Sequence, residues 1–321
     1  MLGDEGAQRG TMARESFSVA TFNLFNLQEP GKPTHQGQTW SDEEFDVKIK
    51  WIAWQLGILD ADIVGLQELW SKAAIEAVLE VHKPLKDQYD VLADPATGER
   101  IVCGALVRKG LLAGEPDWVD KFPKAVRLQL GKDPADPQAP EIKVAINGFS
   151  RPVLRFAVEL CDDQPATEVF VTHLNSKLPT QMSSEEWFTK NPDLFKPHQK
   201  ALGAGISTIR RTAEAVALRV LVTDALKGTG TPVVVLGDIN DGQASNTANI
   251  LTEQPRFLVG GSTGGSDVGL YTAQTLQEYR DTRDVYYTHV HQDRGSRSTM
   301  CWSASSSMTT ADGVCGCSTD W

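Results

Sequence analysis

Apolar and polar positions alternate with two periods along this chain, and the switches between them mark out its elements. Residues 16–23 (SFSVATFN) carry the β-branched and aromatic alternation of a strand. Ser41 then stands before Asp42, Glu43 and Glu44, acids suited to a helix N-terminus. Phe45, Ile49, Ile52, Ala53 and Leu56 follow at helical spacing. Residues 61–66 (ADIVGL) form a short apolar run, read as a buried strand. A second helix is expected over 73–81, a turn over 94–98 and a strand over 101–107. Residues 110–148 hold many Gly, Pro and charged positions and read as irregular. Strands over 153–160 and 169–173 flank a hairpin turn at 162–166. A long loop is expected over 179–197. Leu202, Ile206, Ile209, Ala213, Val216 and Val220 then trace one face of a helix over 199–226. Residues 232–236 are wholly apolar and end in a polar turn, 237–242; a last strand is expected over 285–290. Helices lie between strands and several strands pair as hairpins, which favours an α/β sandwich over a doubly wound parallel sheet.

Composition narrows this picture. A length of 321 residues with 40% hydrophobic content suits one large domain or two small ones with a sizeable core. The net charge of -11 and the lack of any basic run argue against binding to a long polyanion through charge alone. A bound divalent cation, which the count ignores, would change the local balance. No run of about 18 apolar residues occurs, so no membrane span is expected. Residues 1–11 are polar and show no secretory signal, so residues 1–15 read as a flexible extension, with Met12 as a second candidate start. The five cysteines are odd in number and uneven in spacing, which argues against a disulfide framework. A cytoplasmic monomer is the expectation.

Four polar clusters sit at the C-terminal ends of expected strands: Asn23, Gln67–Glu68, His173–Asn175 and Gly237–Asp241. Singly, each has an ordinary explanation, as a turn-forming side chain, a helix N-terminal acid, a half-buried histidine or a tight turn. Together, in the order TFN, LQE, THLNS and GDIND, they resemble the endonuclease/exonuclease/phosphatase superfamily, the DNase I-like enzymes. The resemblance runs from about residue 16 to 292. It implies a four-layer α/β sandwich, two packed mixed β-sheets flanked by helices, over a domain of residues 16–297. It also implies a phosphoesterase chemistry. Mg²⁺ or Mn²⁺ would be held by Glu68 with support from Asn23. Asp238 would orient or deprotonate the attacking water, Asn240 would hold phosphate or water, and His173 would stabilise charge on the phosphoryl oxygens. Arg151, in Phe149-Ser-Arg-Pro-Val153, looks like a phosphate-contacting residue, with Asn175 beside it at the substrate; a solvated strand end explains Arg151 equally well.

Other features carry less. Trp187, Phe188 and Phe195 beside Lys190, Lys196 and Lys200 could stack bases, but aromatics pinning a long loop is the commoner arrangement. His289 and His291 share one face of a strand, read as a cleft rim. Cys301, Cys315 and Cys317 lack a fourth well-spaced ligand for zinc. Three functions remain open. The first is a metal-dependent nuclease or other phosphodiesterase with nucleic acid as substrate. The second is a phosphatase or phosphodiesterase of a small phosphate ester. The third is an inactive relative. The third arises from the tail. The superfamily closes with an Asp-bearing strand and a Ser-Asp-His, yet no Asp-His dipeptide occurs here. Residues 298–321 are rich in Ser, Thr and Cys and show no strand periodicity. Read one nucleotide earlier, the codons across Met300–Ser303 give Val-Leu-Val, and allowed codons around them give Asp-His before it and another after it. The tail is therefore expected to be frameshifted, poorly packed and to leave a sheet edge bare, with the chain catalytically impaired.

Overall fold

The computed structural model describes residues 17–94, 98, 100–160, 164–253, 269–273, 289–291, 294–296 and 299–304. The expected N-terminal extension over 1–15 lies outside these residues, as do Arg297, Ser298 and residues 305–321.

The first half of the chain builds one sheet and its helices. β1 (Val19–Leu27) leads to helix α1 (Asp42–Leu59), whose start is fixed by a reciprocal cap. The Ser41 hydroxyl accepts the Glu44 N–H, and the Glu44 carboxylate accepts the Ser41 N–H. β2 (Ile63–Leu69), α2 (Lys72–Val81), α3 (Lys83–Gln88), β3 (Tyr89–Ala93) and β4 (Val102–Arg108) follow. They form a four-stranded sheet in the order β1-β2-β4-β3, with β1 and β2 parallel.

The second half builds a six-stranded sheet. Its edge is β5 (Leu112–Lys121), and a small hairpin of β6 (Gln129–Leu130) and β7 (Ile142–Lys143) follows. β8 (Gly148–Val158) and β9 (Thr167–His173) pair antiparallel, as the hairpin expectation requires. Short helices α4 (Glu186–Lys190) and α5 (Pro192–Phe195) precede the long α6 (Gln199–Leu226), then β10 (Val233–Asp238) and α7 (Asn246–Thr252). The described tail gives β11 (Tyr271–Thr272), a hairpin of β12 (His289–His291) with β13 (Arg294–Ser296), and β14 (Thr299–Ala304). The sheet order is β11-β14-β10-β9-β8-β5.

Alternation along the strands sets three cores between four layers. Ile63, Ala105 and Val107 of the first sheet meet Phe156, Val169, Val171, Val234 and Leu236 of the second. The outward residues Val64, Leu66 and Leu106 bury Ile52, Leu56, Ile75 and Val78 of α1 and α2. On the far side Phe170, Val233 and Val235 bury Leu218 and Val222 of α6 with Leu251 of α7. Val233 to Leu236 thus serve two cores by turns, which is why that strand reads as an unbroken apolar run. The sheets touch most closely at Gly65, where a Cβ would lie 2.9 Å from Leu236 Cβ. The expected four-layer sandwich is the fold observed.

Three expectations need correction. Residues 110–148 contain the ten-residue strand β5. It sits at a sheet edge, half-exposed, with Gly114 and Pro116 inside its first register shift, so it lacks an alternating signature. The 179–197 loop contains the two short helices. The sheet also continues beyond Arg297: β14 pairs antiparallel with β10 from Asp238↔Thr299 to Val233↔Ala304. The bare edge and missing strand expected there are not what the described residues form, because β10 offers a full ladder of backbone partners from Val233 to Asp238. β12 supplies a strand at His289–His291; residues 285–288 lie outside the description.

Candidate active site

Because β1 runs parallel to β2, and β9 to β10, the carboxyl ends of these four strands lie at one end of the sandwich. β10 places Asp238 opposite His173 of β9 in register. Gly237 permits this: its φ is +146°, and a Cβ there would lie 2.0 Å from the Thr172 carbonyl oxygen.

Asn23 joins the two sheets. Its Nδ2 donates to Glu68 Oε1 at 3.1 Å and to Asp238 Oδ2 at 3.3 Å, across 45 and 215 positions of sequence. Its Oδ1 accepts the Phe25 N–H at 3.0 Å. Glu68 Oε2 accepts the Asn26 N–H at 2.9 Å. Asp238 Oδ1 accepts the Asn240 N–H at 2.8 Å, and Asn240 Nδ2 donates to the Leu174 carbonyl at 2.9 Å. Glu68 and Asn240 both hold left-handed backbone, with φ of 57° and 51°. For Asn this is a tolerated turn conformation; for Glu68, inside a strand, it marks a bulge, and the β2–β4 register slips there between Leu66 and Leu69. Strain of this kind persists where the surroundings over-determine it, often at functional sites.

Arg151 of β8 and His173 complete the group. Arg151 Nη1 donates to the Leu174 carbonyl at 3.4 Å, while its buried Nε and the His173 Nδ1 have no hydrogen-bond partner among the described residues. Burial lowers the Arg151 pKa, opposed by Glu214, Cys103, Glu68 and Asp238. His173 is 5% exposed. Burial first, then the Arg151 guanidinium and His35, hold its imidazole well below the ordinary 6.5. It is therefore neutral near pH 7 and offers one N–H rather than a positive charge. Asn175 sits one step away: its backbone N–H donates to Glu214 and its Nδ2 to the Ser176 and Ser207 carbonyls, so it shapes the loop beside His173.

Three contributors, Glu214, Arg211 and Lys48, were not found from sequence, whereas Asp241 closes the 237–241 cluster read there. Glu214, 1% exposed on α6, accepts the N–H groups of Ser150 and Asn175 at 2.8 and 2.7 Å. Arg211, one turn earlier, reaches the Asn175 and Ser176 carbonyls and Asp241. Both fall on the buried face of α6, and polar residues at core-facing helical positions were the available signal. Asp241 is acidified: burial raises its pKa, but hydrogen bonds from Lys177, Thr247 and Gly242 lower it further than that. Lys48 of α1 is pushed down to about 8 by burial, with Glu68 pulling the other way. The Trp187, Phe188 and Phe195 rings pack against one another, with centroids 4.7 to 6.0 Å apart. Cys103 is buried, which pushes its thiol up to about 12 and leaves it a core residue.

The donor chemistry fits a hard divalent cation. Two carboxylates, from Glu68 and Asp238, meet at one amide, and oxygen ligands in small number suit Mg²⁺, which keeps several waters. Among the described residues no group of three or more His, Cys, Asp and Glu converges, so a zinc-type cage is not formed there.

Two packed mixed sheets with helices outside, and acids at the ends of their parallel strands, define an α/β sandwich with a hydrogen-bonded polar cluster at one end. The chain has the fold of the endonuclease/exonuclease/phosphatase, or DNase I-like, superfamily. A humanised D. rerio TDP2 with 14 mutations superposes with a TM-score of 0.50 at 14% identity, over 91% of this chain and 84% of that one. The human Nocturnin catalytic domain with bound sulfate gives 0.47 at 13%, over 86% and 81%. The mannosyl-6-phosphatase Bt3783 of Bacteroides thetaiotaomicron gives 0.46 at 14%, over 91% and 85%. No protein-family model matches the chain, and no curated protein does. No helix among the described residues is long and apolar enough to cross a membrane.

Proposed function

We propose that the chain is a divalent-metal-dependent phosphoesterase that cleaves phosphodiester bonds, with a nucleic acid as its substrate. The observation that carries this reading is the amide of Asn23 drawn between Glu68 and Asp238, beside a desolvated arginine and a neutral histidine. A locally negative point next to a cationic fork with an unpaired Nε is what a cation and a phosphate together require.

Glu68 would hold Mg²⁺ or Mn²⁺ with support from Asn23, whose amide also ties Asp238 beside that position. When bound, the cation supplies positive charge to a phosphate oxygen and to the developing charge of the reaction. Arg151 binds a second phosphoryl oxygen through its unpartnered edge. His173 donates a hydrogen bond from its neutral ring, which cannot repel the metal. Asp238, fixed through Oδ1 by the Asn240 N–H, accepts the proton of the attacking water at a carboxylate oxygen. Asn240 and Asn175 fix the loops that carry these groups.

A second reading, hydrolysis of a small phosphate ester, is favoured by the net charge of -11. Plasmid nicking and hydrolysis of bis-p-nitrophenyl phosphate and of p-nitrophenyl phosphate, each with Mg²⁺ and with EDTA, decide between them. Metal-dependent diester cleavage is the expected result. Cleavage of the monoester alone moves the chain to the second reading, and full turnover in EDTA removes the metal. Metal and phosphate binding without turnover would point to the impaired relative expected from the missing Asp-His, since losing one acid–base partner costs about 10²–10⁴-fold in rate.

A further inference from the structure

β1 carries more residues than its partner can match. Between the pairs Asn23↔Gln67 and Leu27↔Leu69 its register slips. Phe25 and Asn26 both take left-handed backbone there, with φ of 48° and 54°. The bulge has an evident use. It turns the Asn26 N–H onto Glu68 at 2.9 Å, while Trp70 Nε1 bonds Asn26 Oδ1 at 2.9 Å and Trp40 Nε1 bonds the Asn26 carbonyl at 2.8 Å. None of these bonds involves the side chain of residue 25. Gly or Asn would serve such a position, because a bulky residue is strained with positive φ.

The sequence nevertheless places Phe25 there, 67% exposed. Its ring stands edge-on to Trp40, centroids 6.4 Å apart. The Lys48 ammonium lies 5.2 Å from the Phe25 centroid and 4.4 Å from that of Trp40, and donates to the Phe25 carbonyl at 2.9 Å. An exposed, strained aromatic thus sits between the two residues, Asn23 and Asn26, that bond Glu68. Adjacent Cα atoms are only about 3.8 Å apart. A phosphate at the carboxylates therefore brings whatever it is esterified to within reach of this ring. The loop aromatics Trp187 and Phe195 instead meet each other edge-on, 4.7 Å between centroids.

We propose that Phe25, Trp40 and Lys48 form a stacking shelf for the base of a nucleotide ester. This rests on the phosphoesterase reading above. A base presents a flat π-face that an aromatic shelf takes up without regard to sequence. Lys48 supplies a cation at the rim of an otherwise acidic chain.

The test is calorimetric titration of the full chain, in Mg²⁺, with adenosine 5′-monophosphate and with ribose 5-phosphate, which differ only in the base. The original chain should bind the nucleotide at least about ten-fold more tightly. Phe25→Ala should lose about ten-fold for the nucleotide and nothing for the sugar phosphate, and Phe25→Trp should keep the preference. Melting curves of both variants verify folding. Equal affinity for the two ligands, or an equal loss of both in Phe25→Ala, overturns the shelf and leaves the phosphoesterase reading standing. Failure of the original chain to bind either ligand overturns both.

Discussion

His173 is a histidine kept uncharged by its surroundings, and that has a measurable cost in acid. The unfolded chain protonates this ring below about pH 6.5, whereas the folded chain, whose pKa is held well lower, does not. The unfolded state therefore gains a proton that the folded state lacks, and stability falls as pH drops through 6.5, by up to about 1.4 kcal/mol per pH unit. Urea unfolding between pH 7.5 and 5 should show that slope, and His173→Asn should flatten it. An unchanged slope in the variant would mean that the ring is charged in the fold. Glu68 offers a complementary prediction. Glu68→Gln keeps an oxygen for the Asn26 N–H and so should preserve the fold, with a melting shift within a few degrees. It removes a carboxylate charge from the metal position, so Mn²⁺ affinity should drop at least ten-fold by calorimetry. Undiminished Mn²⁺ binding would move the metal elsewhere.

At the scale of elements, the crevice depends on where strands end and on what braces those ends. Gly237→Ala would drive a Cβ into the Thr172 carbonyl and force β10 away from β9 just before Asp238. We expect a loss of more than about 2 kcal/mol in urea unfolding. Activity should suffer beyond what the unfolded fraction explains. Glu214 braces the other side. Glu214→Ala leaves the Ser150 and Asn175 N–H groups without their acceptor, each at roughly 1–3 kcal/mol, while Glu214→Gln retains one acceptor oxygen and should lose about half as much. Equal stability of the two variants would show that water replaces the carboxylate. Elements of this kind also show what a sequence conceals. β10 and β2 were legible because a strand buried on both faces reads as an apolar run ending in polar residues. β5 was not, since an edge strand with a proline and a bulging glycine has no period. β14 was misjudged because pairing came from its neighbour's open ladder rather than from its own side chains. Asn23, Glu68, His173, Asp238 and Asn240 could be placed at the ends of apolar runs, and the superfamily resemblance singled them out. Glu214 and Arg211 were not, because the helix face read from Leu202 and Ile209 is exposed and the buried face that carries these charges lies beside it. The shelf at Phe25 was equally hidden, since φ leaves no mark on the letters.

For the molecule as a whole, a cation that binds only the folded state must raise its stability. At a Mn²⁺ concentration near a hundred times its Kd the gain is about 2.7 kcal/mol, a melting shift of several degrees that EDTA should reverse. The same titration on Glu68→Gln should give no comparable shift. A rise that survives in the variant would assign the stabilising metal to another place. The whole-molecule scale also bears on the bond between Asn23 and Asp238. Its partners belong to strands 215 positions apart and to different sheets. A chain emerging from the ribosome meets no crevice until residue 238 has been made and both sheets have closed on each other. A nascent or half-folded copy therefore lacks the tie between the carboxylates of the two sheets, whatever else of the fold it has already formed.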